Sequence, residues 1–174
     1  MTSSRNVVGF DGSLTSSGYA FMADATLHVG RVRPKTLRGA ERLAFIASFV
    51  EDIFLRADAD FLALENYSMG SKGSRVFHIG ELGGILKLVA VRRGMRILTV
   101  PPTSLKIFAT GNGRAEKEDV IRGIAANWGV QIDRHDEADA FVLMKIGQAY
   151  GNRRVYRTYP EVRRRALEGC ELEY

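Results

Sequence analysis

The chain has 174 residues, 45% hydrophobic and 26% charged, with a net charge of +5. That suits one domain with a real core and argues against a disordered or fibrous chain. The basic balance, with a pI near 9.6, favours an anionic partner such as nucleic acid. A single cysteine, Cys170, leaves no disulfide framework and no cysteine-based zinc site, and it fits a reducing cytoplasm. No apolar run approaches the ~20 residues of a membrane span, and MTSSRNVVGF lacks a signal-peptide core, so no membrane association is expected.

Residues 6 to 33 read as three strands, NVVGFD, SGYAFM and one around TLHVGRVR, joined by turns of Gly, Ser and Asp. The run RLAFIASFVEDIFLRA has helical periodicity, with Leu43, Ile46, Val50, Ile53 and Phe54 on one face. FLALE, residues 61 to 65, is apolar without alternation, as in a strand buried on both faces. A polar, basic loop, NYSMGSKGSR, leads into a helix over VFHIGELGGILKLVAVRR. The strand RILTV follows and is stopped by Pro101 and Pro102. Two more helices, TSLKIFAT and AEKEDVIRGIAANWG, flank the loop GNGR, and a last one runs from about His135 to Tyr150. This order predicts an α/β fold: a mixed five-stranded sheet, three antiparallel N-terminal strands plus two parallel, flanked by helices. Residues 1–150 form the expected domain. Residues 151–174, with six Arg and four Glu, read as a basic tail or an extra helix.

Three places in this order carry acids. Asp11 closes NVVGF and Glu65 closes FLAL. As ends of parallel neighbours about 4.8 Å apart, both would emerge at the carboxyl edge, where open α/β sheets put their sites. HDEADAFVLMKIG then places Asp136, Glu137 and Asp139 at a helix start, where acids normally cap free N–H groups. At about 100° per residue, Asp139 falls on the apolar stripe of Val142, Leu143 and Ile146, with Asp136 at its edge. Glu137 points the other way, towards solvent, and reads as a surface residue. Capping does not explain an acid on the buried stripe; a metal ligand facing the sheet does. Four carboxylates without a Cys or His set suit a hard cation, Mg²⁺ or Mn²⁺. Two such ions can drive phosphodiester hydrolysis. Lys72 and Arg75, in the loop after Glu65, are placed to meet a phosphate backbone. The glycines of GNGRAEK allow close backbone approach beside Arg114 and Lys117.

The stretches GFDGSLTSSGYAF, LALENYSMGSKGSRVFHIGELGGILK, TVPPTSLKIFATGNGRAEKEDV and DEADAFVLM, in order over about residues 6 to 149, resemble the RuvC-type Holliday junction resolvases. These have a ribonuclease H-like fold, and phage-borne members look most similar. The resemblance implies a homodimeric endonuclease that makes paired nicks in four-way DNA junctions in a bacterial or phage-infected cell. It maps the catalytic acids onto Asp11, Glu65, Asp136 and Asp139, and associates Lys106 and Lys117 with DNA. Family members often have Asp-Pro-Gly where this chain has Asp11-Gly12-Ser13. Their aromatic wedge falls here at Ser68, between Tyr67 and Met69, which become the candidates for that role. Gly80, Gly83 and Gly84 would permit close helix packing, within the chain or against a second subunit. The rival readings are a ribonuclease H-like enzyme acting on hybrids or flaps, and a non-catalytic junction binder.

Overall fold

The structure is a computed structural model that describes residues 6–66 and 75–173, with Arg75 and Val76 as backbone only. Six strands form one sheet: β1 Val7–Asp11, β2 Ser17–Ala23, β3 Thr26–Val32, β4 Phe61–Glu65, β5 Arg96–Val100 and β6 Glu171–Leu172. Their order is β3-β2-β1-β4-β5-β6. β1, β4 and β5 run parallel, and β2, β3 and β6 pair antiparallel. The mixed sheet is as expected, with one strand more than five. β6 is only two residues long, too short to show any periodicity in sequence.

Two helices cover one face of the sheet, α1 Gly39–Arg56 and α2 Arg75–Arg92. The other face carries α3 Pro102–Thr110, α4 Lys117–Trp128, α5 His135–Gly151, α6 Arg153–Thr158 and α7 Glu161–Ala166. α1 buries Ile46, Val50, Ile53 and Phe54, the stripe its periodicity predicts. Pro102 does more than stop β5. It opens α3 at a position whose N–H has no helical partner, so nothing is lost there. α4 starts with a reciprocal cap: the Glu116 side chain accepts from the backbone of Asp119, and Asp119 accepts the Glu116 N–H at 2.9 Å.

Alternation along the central strands sorts the sheet into two cores. Val8, Phe10, Leu62 and Leu64 face α1 and α2, whereas Val7, Phe61 and Ala63 face α5. α5 lies unusually close to that second face. A Cβ placed on Gly9 of β1 would run into the backbone of Ala140 and Met144, and one on Gly18 of β2 into the backbone of Asp136. These two glycines therefore let a helix rest directly on the strands.

Residues 151–173 fold onto this body. Ala166 and Leu167 are buried, and the Tyr159 ring lies 4.8 Å from Phe108. The Arg163 guanidinium sits 5.2 Å over Trp128. β6 pairs with β5, and the Glu173 carboxylate beyond it accepts from the Thr99 hydroxyl and from Lys87 Nζ at 2.8 Å. Burial pushes the Cys170 thiol up to about 12, so it stays protonated and unreactive.

Gly9→Ala and Gly18→Ala should each cost about 3 kcal/mol or more in urea unfolding, because the new methyl meets the backbone of α5. Gly84→Ala is the control: nothing lies within 4 Å of its Cβ position on α2, and a helical alanine should be neutral or stabilising by up to ~1 kcal/mol. Equal losses at all three positions would contradict the packing described.

Candidate active site

The first two acids are brought together by strand register. Phe10 of β1 pairs with Leu64 of β4, so the next residues, Asp11 and Glu65, end the two strands side by side. Val7, Gly9 and Asp11 alternate onto the α5 face, as do Phe61, Ala63 and Glu65. Both carboxylates therefore leave the sheet towards α5. The third and fourth come from the start of that helix. Asp11 pairs with Gly18 across β1 and β2, and Gly18 is the glycine pressed against the Asp136 backbone. Asp139 follows one turn later. Asp11, Asp136 and Asp139 line one open cleft with Ser16, Arg31, Lys117 and His135. Glu65 borders the adjoining groove beside Gly12, under Leu82 and Leu86 of α2.

The charge balance of this place is unfavourable. Burial, then the charges of Glu65, Asp139 and Asp136, hold the Asp11 carboxyl well above its ordinary value, with Lys117 opposing. Glu65 is pushed up to about 7 by burial and then by Asp139, against Lys117 and Lys106. Asp139 is pushed up to about 6, mainly by burial, against Lys117, His135 and Lys106. Carboxylates held together out of water repel unless a cation joins them. An all-oxygen donor set suits a hard divalent ion, so the residues fit the expected metal. Among the described residues, no three His, Cys, Asp or Glu side chains lie grouped closely enough to hold an ion as they stand.

The start of α5 differs from its sequence reading. Arg134 takes the cap position without a side-chain bond. Asp136 Oδ1 accepts the next N–H, that of Glu137, at 3.1 Å. Asp136 Oδ2 accepts the Ser16 hydroxyl at 2.5 Å and lies 3.7 Å from Arg31 Nη1. Glu137 is not a free surface residue. It is partly buried, with its Oε1 3.1 Å from Arg31 Nε. The helical angle correctly turns Glu137 away from the stripe but cannot show that β3 waits on that side. Sequence patterns miss Arg31 for the same reason, and Ser16, although it lies within GFDGSLTSSGYAF, gives no sign there of its bond to Asp136.

Of the proposed DNA contacts, Lys106 on α3 and Lys117 at the first residue of α4 both bear electrostatically on the carboxylates. Arg114 is exposed in the preceding loop, where its N–H is held by Asn112 Oδ1 at 3.0 Å. Tyr67, Met69, Lys72 and the Arg75 side chain lie outside the described residues.

Glu65 and Asp139 are harder to ionise in the folded chain than in the unfolded one. Their contribution to stability is thus fully present near pH 4 and is lost as pH rises through about 6 to 7. In EDTA the melting temperature should therefore fall between pH 5 and pH 8. Each tenfold difference in proton affinity between the folded and unfolded chain is worth about 1.4 kcal/mol. Asp139→Asn should flatten the fall. A melting temperature that rises over this range would contradict the crowding.

Known proteins share this fold. The family model described as crossover junction endodeoxyribonuclease RuvC matches residues 7–147. The protein of that name from Anaeromyxobacter sp. (strain K) is 30% identical over 142 residues, 79% of this chain and 77% of the relative. The one from Chromohalobacter salexigens is 25% identical over 173 residues, 97% of this chain and 92% of its own length. Among solved structures, Thermus thermophilus RuvC superposes with a TM-score of 0.70 at 20% identity, covering 86% of this chain and 96% of that one. RuvC from the same organism in complex with a Holliday junction substrate gives 0.71 at 21% identity, over 80% and 90%. These two show a shared fold, the ribonuclease H-like one. With its family match running from β1 to near the end of α5, the chain belongs to the crossover junction endodeoxyribonuclease RuvC family.

Proposed function

We propose that this chain resolves four-way DNA junctions by paired, symmetric nicks, as a homodimeric, Mg²⁺-dependent endonuclease of the bacterial or phage-infected cytoplasm. The observation that carries the reading is the convergence of Asp11, Glu65 and Asp139, from two parallel strands and a helix, on one electrostatically coupled place. Asp136 joins them through its charge on Asp11 and Asp139. Family membership and the likeness to a resolvase seen with its junction support the choice of substrate.

Asp11, Glu65, Asp136 and Asp139 would hold two Mg²⁺ ions, with Mn²⁺ able to substitute. Bound there, the ions would supply water activation and charge neutralisation for phosphodiester hydrolysis. The chain's own part is to place the strand. Lys117 and Lys106 offer positive charge beside the carboxylates, where a phosphate would otherwise be repelled. A two-fold dimer would set two such sites against the two-fold symmetry of a junction. The division into a nuclease domain over 1–150 and a C-terminal segment over 151–174 belongs to the same proposal, with the segment serving as a brace on α3 and β5.

Asp139→Asn should lower nicking of a labelled four-way junction in Mg²⁺ by about a thousandfold or more. Junction binding in Ca²⁺ should stay within a few-fold of wild type. A variant that nicks normally would remove the four-carboxylate site. Wild-type protein that prefers a flap or an RNA–DNA hybrid over the junction would remove the junction assignment.

A further inference from the structure

Strand register sets four residues abreast in one row of the sheet. Arg31 of β3 pairs with Gly18, Gly18 with Asp11, and Asp11 lies beside Glu65. Paired positions share a face, so this row looks towards the start of α5. Gly18, having no side chain, leaves room for the helix between the guanidinium and the carboxylates. Lys117 bears on Asp11, Glu65 and Asp139. Among the described residues, the one ion pair of Asp136 is with Arg31, which also grips Glu137. Arg31 is itself only 16% exposed. Its charge is thus committed to the helix start, while its side chain borders the open cleft.

We infer that Arg31 is a positioning residue with two stations: it holds Asp136 and Glu137 at the start of α5, and it would turn to a phosphate of the bound strand when Asp136 ligates a divalent ion. The inference rests on the carboxylate site proposed above. A guanidinium and a divalent ion would compete for the Asp136 carboxylate, so each would weaken the other's hold. A guanidinium displaced by the ion remains in a cleft that a nucleic-acid backbone would enter, and its planar fork suits two phosphate oxygens. Ser16, whose hydroxyl bonds Asp136 Oδ2 and accepts from Arg33 Nε at 3.4 Å, keeps that carboxylate oriented in either station.

The test uses Mn²⁺ alone in calorimetry, and a four-way junction in Ca²⁺ for binding. Arg31→Gln should bind Mn²⁺ about fivefold more tightly than wild type and the junction about fivefold more weakly. Arg31→Lys keeps the charge without the fork. It should hold Mn²⁺ within about twofold of wild type yet still lose junction affinity. If Arg31→Gln does not fold, Arg31→Lys alone decides by the same split. Unchanged or weaker Mn²⁺ binding in Arg31→Gln, or junction affinity left intact in both variants, would overturn the inference. Wild-type protein that takes up no Mn²⁺ would overturn the carboxylate–metal reading beneath it, and this one with it.

Discussion

The site depends on how closely α5 can approach the sheet. A helix on a sheet is normally held off by side chains from both partners. Here Gly9 and Gly18 remove them on β1 and β2, and the backbones meet. A side chain at either position would lift the start of α5, and with it Asp136 and Asp139, away from Asp11. Two residues with no side chain therefore decide how closely carboxylates from a strand and from a helix approach one another.

That closeness works against stability. Burial and like charge raise Asp11, Glu65 and Asp139 together, and the nearby lysines only partly offset them. A structural ion pair would show matched charges and depressed carboxyl values. This cluster shows the reverse. The rest of the chain supplies the rigidity to tolerate it: two apolar cores on opposite faces of the sheet, and a C-terminal segment tied to β5 and α3.

Much of this was legible in the residues. FLAL ending in Glu65 and NVVGF ending in Asp11 are local patterns, and so is an acid on the apolar stripe of α5. Each reads directly because strand burial and helical period act over a few residues. The two-residue β6 has no period to detect, and its pairing with β5 joins positions more than seventy residues apart. Glu137 shows the same limit. Its angle away from the stripe was readable, but its partner Arg31 is brought there only by the β2–β3 pairing. Gly9 and Gly18 look like ordinary turn or strand glycines until the helix above them is known.

The most direct measurement of the central claim is a crystal structure of the chain soaked in Mn²⁺, with anomalous scattering used to locate the ions. Mn²⁺ should then be found among Asp11, Glu65, Asp136 and Asp139, at the start of α5. Mn²⁺ bound elsewhere, with these four carboxylates left free of it, would contradict the claim.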